Sequence, residues 1–398
     1  MKKLMILGGG KFIIPLIKKA HSLGIYVITC DYLPSNYAHK YSDQYVNVSI
    51  IDKEKVLEVA SALKIDGISS FACDPGVVTA AYVANKLNLP SPAPYESVKI
   101  LQDKKKFRKF LREHGFNVPW FYSYSNYDEL VRDMDAFTYP LIVKPTDSAG
   151  SKGVTKLVNS DGLHDAFLLA KKNSFSGTII IEQFLEKKGY SSSADPFVYN
   201  GKLVFPCHSD QLFDLNTTNI YNPCGTVFPS TLPQSSQKYL NKELQRLVNL
   251  LGIKTTILNV ESRLCTNGLQ YLMEVSPRGG GNRIAELEQE AYGFDYFDLI
   301  IKSTMGIDFD LPEIKFRRPS FAYVIHSNKN GFLKSIEMDE SLKKHLIFED
   351  YSALPGDYVY SFDGSNKSFG MVFFSFESEQ EERYFLNKID SVIKVIVE

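Results

Sequence analysis

The chain has 398 residues, a length that accommodates two or three domains with separate hydrophobic cores. Its 45 Lys and Arg residues nearly balance 46 Asp and Glu residues, so its charge gives no basis for binding nucleic acid or an anionic membrane. No apolar run approaches the roughly 20 residues that a bilayer crossing requires, and the opening stretch reaches glycine before a signal-peptide apolar region forms. We therefore expect a cytoplasmic protein.

Short β-branched runs alternate with amphipathic stretches over the first ninety or so residues. This alternation predicts an open parallel sheet with crossover helices. The stretch LNLPSPAPYES (87–97) then places three prolines within five residues. It predicts a linker and a domain boundary near residue 95.

The first predicted strand runs into three consecutive glycines, Gly8, Gly9 and Gly10. A dinucleotide site needs a further glycine where this chain has Ile13, and a β-branched residue there blocks the close approach of helix to strand. Asp31 nevertheless has the spacing of the acidic residue in such sites, so an NAD(P)-dependent oxidoreductase stays open as an alternative. We favour a structural or substrate-binding role for this loop.

Residues 116–185 are predicted to alternate as β-α-β-β-α-β in small pieces. Lys144 ends one of these apolar strands, and a loop of small residues follows it. The loop residues that carry the prediction are Ser148, Gly150, Ser151 and Gly153. Backbone N–H groups of such a loop can approach phosphate oxygens while the lysine supplies a positive charge. The alternative is a glycine-rich hairpin with an incidental lysine.

Two later strands flank Asn267-Gly268, a strong hairpin signal. If this dipeptide forms a two-residue turn, the numbers of cross-strand partners sum to 535, and Glu261 faces Glu274. Two carboxylates directly opposite each other repel, which indicates a cation between them. Mg²⁺ fits because it takes one or two carboxylates and completes its shell with phosphates and water. The alternative is a pair of solvated glutamates.

In chain order, Lys104, Lys144, the loop from Ser148 to Gly153, Glu182, the pair Glu261 and Glu274, and Arg278 resemble the ATP-grasp superfamily, in its purine-biosynthetic and carbamoyl-phosphate-synthase-like branches. The resemblance implies an α/β and α+β architecture. An N-terminal open parallel α/β domain is expected at 1–95 and a two-subdomain ATP-grasp domain at 96–315, with its small lid subdomain within 116–186. A small strand-rich domain is expected at 316–398.

The resemblance also implies ATP and Mg²⁺ as ligands, with Mn²⁺ as a substitute. Lys104 and Lys144 would hold the α- and β-phosphates, and the loop would close over them. The residues implied for adenine are Glu182, through its carboxylate, and the backbone of Gln183 and Phe184. Glu261 and Glu274 are implied as the ligands of two Mg²⁺ ions. Arg278 is implied as the residue that contacts the γ-phosphate and the acyl phosphate.

Two positions depart from the pattern that the resemblance implies. Tyr190 stands where many members have a glutamate for the ribose hydroxyls. Ser276 stands where most have an asparagine as a further metal ligand, so weaker or water-mediated ligation is expected there.

The implied activity is an ADP-forming ligase that converts a small-molecule carboxylate to an acyl phosphate and transfers the acyl group to an amine. The residues expected on the substrate side are Gly9, Gly10, His208, Asp210 and Arg283. The segment from about Pro319 is expected to close over the acceptor site or to form a homodimer contact. Two alternatives stay open: a phosphoribosylglycinamide synthetase or related purine-pathway ligase, and an ATP-binding module without catalysis.

Overall fold

The computed structural model describes residues 1–148 and 150–398. The N-terminal part is a four-stranded parallel sheet in the order β3-β2-β1-β4 with helices packed on it. Its strands are β1 (Lys3–Leu7), β2 (Tyr26–Cys30), β3 (Gln44–Val46) and β4 (Gly67–Ser69), and its helices are α1 (Ile14–Ser22), α2 (Lys53–Leu63) and α3 (Asp74–Lys86). Successive residues of β1 and β2 are buried, as expected where helices cover both faces of a parallel sheet. The predicted parallel α/β arrangement is confirmed.

Two helices lead from this part to a small antiparallel sheet, α4 (Tyr95–Leu101) and α5 (Lys104–Glu113). The Asp103 carboxylate accepts a hydrogen bond from the Lys106 N–H, so α5 begins at Lys104. The small sheet has the order β5-β8-β6-β7. Its elements are β5 (Phe121–Tyr124), α6 (Tyr127–Arg132), β6 (Leu141–Pro145), β7 (Thr155–Leu157), α7 (Leu163–Lys172) and β8 (Ile179–Gln183). The order of these elements along the chain confirms the predicted β-α-β-β-α-β alternation.

The largest sheet has eight strands in the order β16-β15-β9-β12-β13-β17-β21-β19. Its strands are β9 (Lys187–Ala194), β12 (Asp210–Phe213), β13 (Pro223–Phe228), β15 (Asn259–Cys265), β16 (Gln270–Ser276), β17 (Ser320–Ile325), β19 (Leu346–Tyr351) and β21 (Gly370–Ser375). The last three strands come from the segment after residue 316 and pair onto β13, so this segment continues the central sheet. The domain limits at 95 and 316 stay a proposal.

The remaining elements pack around this sheet. The two further sheets have the orders β11-β10-β14 and β20-β18-β22. Their strands are β10 (Phe197–Tyr199), β11 (Lys202–Phe205), β14 (Thr256–Ile257), β18 (Gly331–Met338), β20 (Tyr358–Val359) and β22 (Ile393–Val397). The other helices are α8 (Gln234–Leu251), α9 (Ile284–Tyr292), α10 (Tyr296–Met305), α11 (Glu340–Lys343), α12 (Glu379–Leu386) and α13 (Ile389–Val392), with 3₁₀ turns at Lys11–Ile13, Tyr37–Tyr41, Met134–Ala136 and Ser365–Lys367. Within the described residues, no helix has both the length and the apolar character needed to cross a bilayer.

A buried carboxyl group in α12 makes the stability of the fold depend on pH. The Glu382 side chain is fully buried, and neither carboxylate oxygen has a hydrogen-bond partner in the described chain. Burial raises the pKa of Glu382 to about 8, although the neighbouring Arg383 opposes the rise. The folded pKa thus lies above the unfolded value of about 4.3. Its stabilising contribution is complete below the unfolded pKa and is lost as the pH rises through the folded pKa.

We predict that Glu382→Gln removes this pH dependence. Between pH 5 and 8, the free energy of unfolding of the wild type should fall relative to that of the variant, by at most about 1.4 kcal/mol per pH unit. Urea denaturation of both proteins at pH 5, 6.5 and 8 measures the difference. Parallel stability curves for the two proteins would contradict the assignment.

Candidate active site between the two sheets

A cleft of about 420 Å³ lies between the small sheet and the eight-stranded sheet. Its volume is within the range of small-molecule sites. The small sheet contributes Lys144 and Glu182, and the large sheet contributes Glu261 and Glu274. The first turn of α5 adds Lys104, and the segment after β16 adds Arg278. Residues that the sequence predicted separately therefore line one cleft.

The hairpin of β15 and β16 places the two glutamates opposite each other, but its turn and its register near the turn differ from the prediction. Glu261 pairs with Glu274, as predicted. The turn, however, has three residues, because the Cys265 N–H donates to the Leu269 carbonyl. This shifts the register near the turn by one residue, and a β-bulge after Glu261 shifts it back. The predicted two-residue turn was wrong, and the predicted pairing of the carboxylates is confirmed.

The two glutamates have different electrostatic surroundings. Glu274 lies 3.3 Å from the Lys104 ammonium group. The Glu261 carboxylate has no hydrogen bond or ion pair with any described residue. Burial and the charge of Glu274 raise the pKa of Glu261, whereas Arg263 and the cleft lysines lower it. The pair thus has an unpartnered carboxylate that a cation would stabilise.

Glu182 lies between two cations at the end of β8. Its carboxylate oxygens lie 2.7 Å from Arg108 Nε and 2.5 Å from Lys144 Nζ. Although burial alone would raise its pKa, the charges of Arg108 and Lys144 hold the pKa of Glu182 at about 2. Burial lowers the pKa of Lys144, and Glu182 opposes this shift. Glu182 therefore anchors the lysine predicted to bind phosphate, and its predicted contact with adenine stays a prediction.

Arg278 is held by a carboxylate from the N-terminal sheet region. Its Nε and Nη2 groups donate to the two oxygens of Asp74 at 2.8 and 2.7 Å, and its Nη1 group donates to the Gly279 carbonyl at 2.8 Å. Burial alone would raise the pKa of Asp74, but Arg278 lowers it below its usual value. Since a guanidinium has five N–H donors, two remain for another ligand.

The first part of the small-residue loop, which follows β6, lines the cleft. Ser148, Gly150 and Ser151 line the cleft, and the Ser148 carbonyl accepts a hydrogen bond from Lys104 at 3.0 Å. Gly153 lies outside the lining with a φ of +70°, and a Cβ there would lie 3.0 Å from the Asn173 side chain. Ala149, which belongs to the predicted loop, lies outside the described residues.

The end of β8 and strand β9 contain the other residues predicted to contact the nucleotide, and these contacts stay predictions. The N–H groups of Gln183 and Phe184 already donate to the Trp120 and Pro140 carbonyls, at 3.1 Å each, so these two donors are used within the fold. Tyr190 is 40% exposed and lies outside the cleft lining, whereas Ser191 lines the cleft. Successive side chains of a strand point to opposite faces, which turns Tyr190 away.

Ser276 is the other residue that departs from the implied pattern. Its side chain is buried and outside the cleft lining. The hydroxyl accepts a hydrogen bond from Gln102 at 2.7 Å and donates to Asp74 at 3.3 Å. Its only O–H is thus used. The weaker or water-mediated metal ligation expected of Ser276 stays a prediction.

Three polar residues predicted on the substrate side lie outside the cleft lining, where they stabilise the fold. His208 bonds Asn241 of α8 at 2.8 Å, and burial lowers its pKa. Asp210 is buried and pairs with Arg383 of α12 at 3.0 Å. Arg283 pairs with Asp350 of β19 at 2.9 Å. Their partners come from distant chain segments that the sequence does not identify, and the substrate roles predicted for them stay predictions.

Of the opening glycines Gly9 and Gly10, only Gly9 is tightly packed. A Cβ on Gly9 would lie 2.6 Å from the Asn36 and His39 side chains, and one on Gly10 would meet nothing within 4 Å. Both residues lie outside the cleft lining, so a substrate role for them stays a prediction. Asp31 accepts hydrogen bonds from the Leu33 N–H and the Asn36 side-chain amide of its own loop. The NAD(P) alternative finds no support among the relatives named below.

Sequence reasoning missed four residues that build the site: Asp74, Arg108, Asp195 and Asn259. Asp74 begins α3 directly after Cys73, and Arg108 lies in the basic helix α5, where its burial is unexpected. A signal was available for Arg108, since it is one turn after Lys104 on the same helix. The other three have partners more than 60 residues away, for which the sequence gives no pairing signal.

Comparisons with known proteins agree with this geometry. Residues 101–282 match the model of the ATP-grasp domain family. The chain is 23% identical over 303 residues to an N5-carboxyaminoimidazole ribonucleotide synthase of Staphylococcus saprophyticus, covering 76% of each protein. It is 25% identical over 375 residues to a phosphoribosylamine–glycine ligase of Fusobacterium nucleatum, covering 87% of this chain and 78% of the relative.

Solved structures share the fold. An L-amino acid ligase from Bacillus licheniformis superposes with a TM-score of 0.84 and 20% identity, covering 100% of this chain and 99% of that chain. The predicted ATP-grasp fold is confirmed, and the named relatives bear out the predicted class, an ATP-dependent ligase.

We predict that Arg108→Leu destabilises the protein by about 3–5 kcal/mol, because it leaves the buried Glu182 carboxylate with one cation and removes a bond to the Met273 carbonyl. Lys109→Leu, one residue along the same helix, is the control because Lys109 forms only an exposed pair with Glu113. The control should change stability by less than about 1 kcal/mol. Urea denaturation measures both variants, and equal losses would contradict the role of Arg108.

Proposed function

Because residues 101–282 form an ATP-grasp domain, we propose that the protein is an ATP-dependent ligase that joins a small-molecule carboxylate to an amine and releases ADP and phosphate. The observation that carries the proposal is the facing pair Glu261 and Glu274 in the wall of the cleft, with Lys104 and Arg278 beside it. This set of charges suits a triphosphate with its metal ions.

The residues present fit Mg²⁺. Within the described chain, no group of three or more His, Cys, Asp or Glu side chains is arranged to hold a metal. Two carboxylates, one of them unpartnered, are instead the donor set from which Mg²⁺ takes its protein ligands when phosphates and water complete its shell. Glu261 and Glu274 would hold the metal, which neutralises charge on the phosphates when bound.

The reaction we propose has two steps. A carboxylate oxygen of the first substrate attacks the γ-phosphorus of ATP, and the bond to the β,γ-bridging oxygen breaks, which gives an acyl phosphate and ADP. The amine nitrogen then attacks the acyl carbon, phosphate leaves, and the amine loses a proton. The protein's contribution is positioning and charge stabilisation, since the cleft needs no nucleophilic side chain for this chemistry.

The positively charged side chains of the cleft are held in place by neighbouring groups of the protein. Lys144 is fixed by Glu182 and Lys104 by Glu274 and the Ser148 carbonyl, which supports their assignment to the phosphates. Arg278 is fixed by Asp74, and we assign its two remaining N–H groups to an oxygen of the transferred phosphoryl group or of the acyl phosphate. Pre-positioned donors of this kind stabilise charge that develops during the reaction.

One relative is named as a ligase of phosphoribosylamine and glycine, and another as a synthase of N5-carboxyaminoimidazole ribonucleotide. A solved neighbour acts by name on L-amino acids. The panel below therefore includes both substrate classes.

We predict that ADP release from Mg²⁺-ATP requires a carboxylate and an amine together. Glu274→Gln should lower the rate of ADP release at least about 100-fold, because the carboxylate pair that would bind the metal loses one negative charge. The assay couples ADP release to a paired panel of amino acids, other small carboxylates and phosphoribosylamine. Glu113→Gln, on the exposed face of α5, is the control and should keep the wild-type rate.

Nucleotide binding measured by calorimetry separates the alternatives. Binding of Mg²⁺-ATP without ADP release from any pair would favour a nucleotide-binding module without catalysis. Turnover restricted to phosphoribosylamine would instead select the purine-pathway ligase.

A further inference from the structure

Asn259 lies on β15 near Glu261, and no contact with a ligand has been assigned to it. It begins β15 two residues before Glu261, so both side chains project from the same face of the strand. Both residues line the cleft. Their neighbour across the hairpin from Glu261 is Glu274. The lining of the cleft therefore includes an amide on the same strand face as Glu261.

The residue paired with Asn259 across the hairpin is Ser276. Ser276 is the position at which the resemblance implied a further metal ligand, and its hydroxyl is used by Gln102 and Asp74. Asn259 is thus the amide that faces Ser276 in the register of the hairpin. It reaches the same sheet face from the adjacent strand.

A buried carboxylate fixes the orientation of the Asn259 amide. Asn259 Nδ2 donates to Asp195 Oδ1 at 2.9 Å, and the second oxygen of Asp195 accepts the Gly280 N–H at 2.7 Å. Asp195 is fully buried at the end of β9. With the amide nitrogen held against this carboxylate, the amide oxygen is left without a hydrogen-bond partner among the described residues. A flipped amide would set its oxygen against the carboxylate, which is unfavourable.

Gly280, in the loop after Arg278, leaves the space that this arrangement needs. A Cβ at Gly280 would lie 2.8 Å from Asn259 Nδ2 and 2.8 Å from Asp195 Oδ1. Any larger residue would therefore push the amide or the carboxylate out of place. Asp195 links three segments of the site, the end of β9, the start of β15 and the loop after Arg278.

We propose that the amide oxygen of Asn259 is the third protein ligand of the Mg²⁺ site, in the role that the resemblance assigned to position 276, and that Asp195 is the positioning residue that points this oxygen at the metal. This inference rests on the proposed function, which supplies the metal held by Glu261 and Glu274. Amide oxygens are hard ligands of the kind that Mg²⁺ and Mn²⁺ accept.

Mn²⁺ binding tests the proposal apart from activity. The full chain is titrated with Mn²⁺ in the presence of ADP, and bound Mn²⁺ is obtained from the loss of the free-ion signal in electron paramagnetic resonance, after subtraction of a titration with ADP alone. The variants are Asn259→Ala, Asn259→Ser, Ser276→Ala and Glu274→Gln. Asn259→Ser keeps a hydroxyl that can donate to Asp195, so it guards against a folding defect in the alanine variant.

We expect both Asn259 variants to weaken Mn²⁺ binding about tenfold or more, and Ser276→Ala to stay within about twofold of the wild type. Wild-type affinity in either folded Asn259 variant, while Glu274→Gln loses the metal, would overturn the role of Asn259 and leave the proposed function standing. A loss in Ser276→Ala instead would also overturn it. If the wild type binds no Mn²⁺ beyond ADP alone, or Glu274→Gln binds as tightly as the wild type, the proposed function fails together with this inference.

Discussion

Two carboxylates that face each other across one hairpin are the constraint on which the rest of the site depends. Glu261 and Glu274 are directly opposite on one face of the sheet, an arrangement that destabilises a sheet unless positive charge lies nearby. One of them has Lys104 as partner, and the other has none in the described chain. The fold therefore maintains an unfavourable charge arrangement at the wall of this cleft, which is understandable if a bound cation completes it.

The other charges of the cleft are compensated in pairs, and each pair joins different parts of the fold. Glu182 of the small sheet holds Lys144 together with Arg108 of helix α5, and Asp74 of the N-terminal region holds Arg278. Buried pairs of this kind contribute little net stability compared with apolar packing, but breaking one is costly. Their value here is geometric, since they fix the cations before a ligand arrives and connect the N-terminal sheet to the hairpin that holds the glutamates.

Much of the fold could be predicted because periodicity is local. The parallel N-terminal sheet and the β-α-β-β-α-β order follow from short patterns of apolar residues, glycine and proline. The pairing of Glu261 with Glu274 was predicted correctly even though the turn was not, because a bulge compensates for the longer turn. The sequence could not show which side chains are paired over long distances. Ser276, Asp210 and Arg283 have partners that no local pattern identifies.

The central claim is that the metal–nucleotide complex lies against the β15–β16 hairpin and not on the opening glycines. A crystal structure of the protein with Mn²⁺ and a non-hydrolysable ATP analogue, with data collected at the manganese absorption edge, tests it most directly. The account predicts anomalous density in contact with the Glu261 and Glu274 carboxylates, with the phosphates between this density and Lys104. Nucleotide density at Gly8 to Gly10, or manganese remote from both glutamates, would contradict it.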